Sequence, residues 1–118
     1  MKDHYTAFVQ YSKKFARTFE ELQDKRLRQI HNRAMTGLHK LKCEMFEDPD
    51  KCADLILSLL EHEDENVRIS AGAYCIQAET HTEEGITELQ TISENGSDRY
   101  IRFSAEQCLQ YCKPFRFK

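Results

Sequence analysis

The chain has 118 residues, of which 31% are charged and 40% hydrophobic, and its formal net charge is −3 at pH 7. This length supports one domain with a genuine core but not two, and the composition is ordinary for a folded soluble protein. Only 4 glycines and 2 prolines occur, which argues against a turn-rich β-sandwich. The chain also lacks an apolar run of roughly 20 residues or an apolar leader, so we expect a cytoplasmic protein with no membrane span or signal peptide.

The first predicted helix follows from apolar residues at steps of three and four over residues 5–22. Asp3 is placed to cap this helix. The phenylalanines on its apolar face are Phe8, Phe15 and Phe19. We expect these rings to pack across the third and fourth helices. A second stripe predicts a long helix over residues 22–46, and because no breaker stands at residues 20–24, the two helices can be separate or partly continuous.

Residues 47–50 are the clearest boundary in the chain, because Asp48 can cap a helix and Pro49 suits its first position. A third helix follows this boundary. A fourth begins at about Asn66, after the acidic turn 62–65. Apolar residues recur at helical spacing in both segments, so both helices are expected to contribute to the core.

Two further helices are predicted in the last third of the chain. Thr82 is placed to cap the fifth helix, and two glutamates in its first turn suit the helix dipole. This helix ends at Asn95 and Gly96, which tolerate a left-handed backbone. Ser97 or Asp98 caps the sixth helix, and the second proline of the chain stops it. No segment alternates with a period of two for long enough to be a strand, so we predict an all-α protein.

A short repeat occurs within the last four helices. The pentapeptide Val67–Ala71 returns 34 residues later as Ile101–Ala105, and each copy follows an aspartate at the same offset. This duplication predicts stacked helical hairpins in an α-α superhelix of about six helices, a scaffold that usually binds other macromolecules. The predicted parts of this single domain are capping helices at 1–46, a first hairpin at 47–80, a second hairpin at 81–113 and a tail at 114–118.

The hairpins resemble HEAT repeats in their paired leucines, acidic turn, Val-Arg dipeptide and following small residue. These features stand at Leu59-Leu60, at residues 64–68 and at Ala71, and less cleanly at residues 98–102 and Ala105. In such repeats the aspartate and the arginine tie one hairpin to the next at the turn. The resemblance therefore implies this structural role for Asp64, Arg68, Asp98 and Arg102.

The whole chain is also similar to a family of short bacterial HEAT-like domains that lacks an assigned biochemical function. The similarity covers residues 15–113 and rests on a long charged N-terminal helical region, one clean repeat and the segment Phe103–Glu106. Domains of this kind are found among immunity proteins that neutralise bacterial toxins. The resemblance thus implies a non-catalytic protein that binds a toxin.

Basic and acidic residues are segregated along the chain. Residues 1–46 hold ten Lys or Arg against five Asp or Glu, whereas residues 47–112 hold four against fifteen. A nuclease toxin must be electropositive where it grips phosphate, so an acidic surface can imitate that polyanion and speed encounter. We therefore predict an immunity protein that binds a basic toxin domain. The predicted contact residues are Glu61, Glu63, Asp64, Glu65, Gln77, Glu79, Glu83, Glu84, Glu88, Glu106 and Gln110. Those on the fourth and sixth helices are expected to line a concave face.

The sequence offers no pattern typical of catalysis or metal binding. No nucleophile stands beside a base at a usual spacing, and the acidic segments around His62 and His81 match neither an HExxH nor an EF-hand motif. We expect no enzyme activity, small-molecule substrate, cofactor or metal. The five cysteines include no CxxC pair, which argues against a disulfide framework. Cys108 and Cys112 share a helical face, where core packing is favoured over metal binding or a disulfide.

Two alternative functions come from other classes of protein. The first is a HEAT-like adaptor or scaffold unrelated to toxins. The second is a nucleic-acid accessory protein that uses the basic N-terminal helices, although a pI near 5.9 argues against it. The residues concerned are His31 and His39 with Arg26, Arg28, Arg33, Lys40 and Lys42. The oligomeric state is open, because a second copy could cover the exposed end of so short a repeat. Phe115 and Phe117 are expected to fold back onto the last helix.

Overall fold

The computed structural model describes residues 3–114, which contain α-helices and no strand, so the prediction of an all-α protein is confirmed for this range. The helices are α1 (His4–Phe15), α2 (Lys25–Phe46), α3 (Pro49–Leu60), α4 (Glu65–Ala78), α5 (Thr82–Asn95) and α6 (Arg99–Tyr111), and a 3₁₀ turn (Glu21–Gln23) precedes α2. The predicted folding back of Phe115 and Phe117 lies outside the described residues. None of the described helices combines the length and the apolar character needed to cross a bilayer.

The chain divides into two compact units, Met1–Glu47 and Asp48–Lys118. The division falls at the boundary that the sequence predicts, where the Asp48 side chain accepts a hydrogen bond from the Lys51 backbone N–H. Pro49, at the first position of α3, has no N–H that would need an acceptor. The role of the first unit as a cap for the second stays a prediction.

In the first unit, α1 is shorter than the apolar stripe predicts and ends at Phe15. The cause is a capping box, because the Thr18 backbone N–H donates to Glu21 Oε1 (3.0 Å) and the Glu21 N–H donates to Thr18 Oγ1 (3.1 Å). The hydrogen bond from the Thr18 backbone N–H, together with the Thr18 hydroxyl and the Arg17 guanidinium, holds the pKa of the Glu21 carboxyl below its usual value. The box starts the 3₁₀ turn and separates the two helices. Phe19 is 60% exposed, so its predicted place on a packed face is wrong.

The start of each helix in this unit is fixed by an aspartate. Asp3 accepts from the Thr6 N–H, as predicted, and Asp24 accepts from the Arg26 and Leu27 N–H groups. The helices α1 and α2 pack against each other, with Phe8 and Ser12 of α1 buried. The buried residues of α2 are Ala34, Leu38, Leu41 and Met45, which belong to the predicted stripe.

In the second unit, α4 is the central helix and packs against α3, α5 and α6. Its residues 69–75 are all buried, although the repeat suggested only one buried stripe. The closest approach to α5 is at Gly72 and Gly85. A Cβ on Gly72 would lie 2.7 Å from Leu89 Cγ, and one on Gly85 would lie 2.5 Å from Cys75 Cβ. Two glycines are therefore needed where these helices meet.

The ends of α5 differ from the sequence prediction. The N-cap is His81 with a left-handed backbone (φ 47°), and Thr82 instead donates its hydroxyl to the Cys75 carbonyl at 3.5 Å. Gly96 ends the helix as predicted, but its φ is −56°, so no left-handed residue is involved. A Cβ there would lie 2.7 Å from the Ile92 carbonyl oxygen, which explains the glycine by close approach. Of the two predicted caps of α6, Asp98 is used.

Candidate functional site

The two arginines of the repeat occupy matching positions at the turns of their hairpins. Arg68 donates from Nη1 to the His62 carbonyl at 2.7 Å, and Arg102 donates from Nη1 to the Gly96 carbonyl at 2.8 Å. Each acceptor lies six residues before its arginine. Both guanidinium groups therefore close the turn that precedes their own helix, which makes the repeated element structural.

Arg68 makes two further contacts that Arg102 does not show. Its Nη1 donates to the Glu63 carbonyl at 3.0 Å, and its Nε donates to Glu88 Oε1 at 2.8 Å. Because Glu88 belongs to α5, this bond joins the first hairpin to the second. The implied hairpin-to-hairpin role thus holds for Arg68, whereas the contact of Arg102 is within its own hairpin.

The aspartates of the repeat do not tie the hairpins together. Asp64 accepts from the Asn66 N–H at 2.8 Å and Asp98 from the Ile101 N–H at 2.9 Å, so each caps the helix that follows it. The second link between the hairpins is instead Glu65, whose Oε2 accepts from the Ser97 N–H at 3.0 Å. The role implied for the aspartates is corrected accordingly. No signal in the sequence marks this link, because its partners lie 32 residues apart.

The predicted contact residues at the α3–α4 turn fall into two groups. Asp64, Glu65 and Glu88 hold the fold through the bonds above and are only half-exposed. Glu61 and Glu63 are exposed, and their carboxylates lie at the surface of the turn. Of the acidic residues predicted around this turn, only Glu61 and Glu63 combine exposure with a side chain outside the hydrogen bonds that shape it.

The α4–α5 turn carries a second set of predicted contact residues. Glu79, Glu83 and Glu84 are exposed, and Glu84 Oε2 lies 2.9 Å from His81 Nδ1. Glu79 and His81 both have a left-handed backbone, at φ 55° and 47°. Left-handed conformations are uncommon for residues with a Cβ. One of the three carboxylates, that of Glu79, is therefore on a backbone that glycine would adopt more easily, and the other two belong to the first turn of α5.

The structure does not bring the two turns together. They lie at opposite ends of α4, whose 14 residues span about 21 Å at 1.5 Å per residue. The predicted acidic surface is therefore two separate surfaces, one around Glu63 and one around Glu83. Residues 69–75 of α4 are buried, so of this helix only its C-terminal end, with half-buried Gln77 and exposed Glu79, can contribute to the expected concave face, which stays a prediction. Glu106 and Gln110 are exposed on α6.

Buried ionisable groups in the second unit belong to the core. Burial raises the pKa of the Cys75 thiol to about 12, and it also raises the pKa values of Cys52 and Tyr74. Cys43, Cys52 and Cys75 are free thiols. Cys108 and Cys112 are half-buried, and Cys108 packs against the core cluster that includes Leu89 and Ala105, as the sequence predicts. Over residues 3–114, no three His, Cys, Asp or Glu side chains are grouped so that they could hold a metal ion.

The first unit contains an open groove of about 300 Å³ between α1 and α2. Its lining residues are Asp3, Thr6, Ala7, Gln10, Tyr11, Gly37, Lys40 and Leu41. Hydrogen bonds from the Thr6 hydroxyl and backbone N–H hold the pKa of the Asp3 carboxyl below its usual value. A cysteine–histidine pair lies on α2, with Cys43 Sγ 3.7 Å from His39 Nε2. Neither feature was singled out from the sequence as a site.

Comparisons with known proteins identify no relative. No protein-family description, curated protein or solved structure matches this chain.

Proposed function

We propose that the protein is a non-catalytic binding module that contacts a basic partner protein through the acidic α4–α5 turn. The observation that carries this proposal is the concentration of three exposed glutamates around one short turn, with Glu79 on the turn itself and Glu83 and Glu84 in the first turn of α5. Exposed carboxylates of this kind steer a cationic partner and raise its association rate more than they raise the affinity.

The α4–α5 turn is preferred over the α3–α4 turn because of how the carboxylates are used. At the α3–α4 turn, Asp64 and Glu65 accept backbone hydrogen bonds that shape the fold. A partner that competed for them would have to disrupt a helix cap or the link between hairpins. At the α4–α5 turn the carboxylates face solvent, and the Glu84 carboxylate bonds to another side chain, that of His81. Binding there would leave the backbone unchanged.

Within this class, we propose an immunity protein that occludes a bacterial toxin. This part rests on the resemblance to short bacterial HEAT-like domains and on the acidic charge of the second unit, which holds fourteen Asp or Glu against seven Lys or Arg. A toxin that acts on nucleic acid needs a cationic site for phosphate, and carboxylates at matching positions would cover it. Cytoplasmic action accords with such a role and is part of the proposal.

Co-expression with the product of the neighbouring gene tests the immunity role. Wild-type protein should restore growth and co-purify with the toxin. The variant Glu79→Lys/Glu83→Lys/Glu84→Lys should lose both effects. The matched control Glu61→Lys/Glu63→Lys/Glu106→Lys has the same net charge and should keep them. Loss of binding in the control variant alone would show that the partner contacts the α3–α4 turn or α6 instead of the α4–α5 turn.

Two other outcomes decide the class of function. A stable complex that does not protect the cell would replace the immunity role with that of an adaptor. Equal killing with and without the protein, together with no isolated complex, would reject the immunity role. Melting temperatures of both variants within a few degrees of wild type would show that lost binding is not lost folding.

A further inference from the structure

The first nineteen residues of α2, residues 25–43, contain six Lys or Arg and no carboxylate. Two of these cations are held locally: Arg28 donates to the Leu22 carbonyl at 3.4 Å, and Lys42 is half-buried. The other four, Lys25, Arg26, Arg33 and Lys40, are exposed. We call Arg26, Arg33 and Lys40 the α2 cation row.

The α2 cation row is straight and evenly spaced. Its members recur every seven residues, which returns a helix to nearly the same face and advances it by about 10 Å. Gln29 and Thr36 are exposed at the intermediate positions of the same face. The row therefore extends for about 21 Å. The Gln29 amide lies between its first two cations, whereas the Thr36 hydroxyl donates to the Asn32 carbonyl at 3.1 Å and would have to turn to reach a phosphate.

Three carboxylates of this unit that flank residues 25–43 or share a groove with them have other contacts. Asp24 caps α2, and Glu44 Oε2 lies 3.7 Å from His4 Nε2. Asp3 lines the same groove as Lys40, but its carboxylate accepts two hydrogen bonds from Thr6. The ionised Asp3 lowers the positive potential near Lys40, but no described carboxylate of this unit forms an ion pair with the row, so an external anion can approach it.

We propose that the α2 cation row binds the phosphate backbone of duplex nucleic acid. A linear array of cations with interspersed amide and hydroxyl groups matches a chain of phosphates, which are bound by Lys, Arg, Gln and Thr side chains. The exposed part of α2 offers one large apolar side chain, Met35, and one aromatic ring, the imidazole of His39, but no exposed Phe, Tyr or Trp. Stacking on successive unpaired bases needs a series of such rings, and therefore a duplex fits better than a single strand. This inference concerns the other unit and is independent of the proposed protein partner.

Fluorescence anisotropy of a labelled 20-base-pair DNA duplex, titrated with the full chain at low salt, tests the proposal. The logarithm of the binding constant should fall with the logarithm of salt concentration with a slope of about −3, close to one per phosphate contacted. The variant Arg26→Gln/Arg33→Gln/Lys40→Gln should bind at least about tenfold more weakly and show a slope near zero.

The matched control is Lys51→Gln/Arg99→Gln/Lys113→Gln, which removes three exposed cations from the second unit. Because its net charge equals that of the test variant, it should stay within about twofold of wild-type affinity if the row itself binds. Equal weakening in both variants, or no wild-type binding at low salt, would overturn the proposal. Competition by polyglutamate as strong as competition by unlabelled duplex would also overturn it, in favour of an acidic protein partner.

Discussion

The Nε atom of Arg68 in α4 lies 2.8 Å from Oε1 of Glu88 in α5, so an ion pair joins the first helical hairpin to the second. Its side chains are only 22% and 28% exposed, which limits screening by solvent. The same guanidinium also closes the α3–α4 turn. One side chain therefore couples the geometry of a turn to the packing of the next hairpin.

Replacing Arg68 should destabilise the protein more than replacing its repeat equivalent. We expect Arg68→Ala to lower the free energy of unfolding by about 2–3 kcal/mol, because it removes one ionic and two carbonyl hydrogen bonds. Arg102→Ala removes one recorded bond and should cost about 1 kcal/mol. Urea unfolding measures both, with exposed Lys51→Ala as a control that should stay within about 0.5 kcal/mol of wild type. An Arg102 variant as unstable as the Arg68 variant would contradict this assignment.

Alanine at the crossing of α4 and α5 should reverse the usual effect of replacing a helical glycine. A Gly→Ala change inside a helix normally stabilises by up to about 1 kcal/mol. At Gly85 the new Cβ would meet Cys75 Cβ at 2.5 Å, and at Gly72 it would meet the buried Leu89 side chain. We therefore expect each change to destabilise by about 1–3 kcal/mol in thermal or urea unfolding. A gain in stability would show that the helices can separate freely.

The parts of the fold that sequence predicts well are those set by neighbouring residues. The caps at Asp3, Asp48 and Asp98 follow from side chains that reach backbone N–H groups three residues ahead. The early end of α1 is marked by the spacing of Thr18 and Glu21, which form a capping box. The apolar stripe continues past this box, so hydrophobic periodicity alone predicts a longer helix.

The candidate site was harder to predict because its carboxylates differ by tertiary contact and not by residue type. Glu65 bonds to Ser97 and Glu88 to Arg68, across 32 and 20 residues of sequence. The sequence treats these glutamates like exposed Glu79 and Glu83. It also cannot show that the two acidic turns lie at opposite ends of a buried helix. Only the packing of the two hairpins shows which carboxylates hold the fold and which are available to a partner.

The buried Cys75 thiol should make the protein sensitive to alkali. Its folded pKa of about 12 lies above the usual value of 9.0, so the folded state holds this proton more tightly than the unfolded state. The stabilisation is complete below pH 9 and is lost as the pH rises towards 12, at up to about 1.4 kcal/mol per pH unit. Urea unfolding between pH 8 and 10.5 should show this decline. Cys75→Ala should flatten it relative to the exposed control Ser104→Ala; an unchanged slope would assign the effect to other groups such as Tyr74.

Glu79 allows stability and binding to be separated at one position. Its left-handed backbone (φ 55°) ends α4, and a residue with a Cβ pays about 1 kcal/mol for that conformation. Glu79→Gly should raise the free energy of unfolding by about 0.5–1 kcal/mol, whereas Glu79→Ala keeps the Cβ and should leave it nearly unchanged. Both variants lose the same carboxylate, so both should weaken binding of a basic partner to the α4–α5 turn equally. Equal free energies of unfolding for the two variants would show that the left-handed backbone at position 79 is not strained. Unchanged binding in both variants would show that Glu79 is not part of the contact surface.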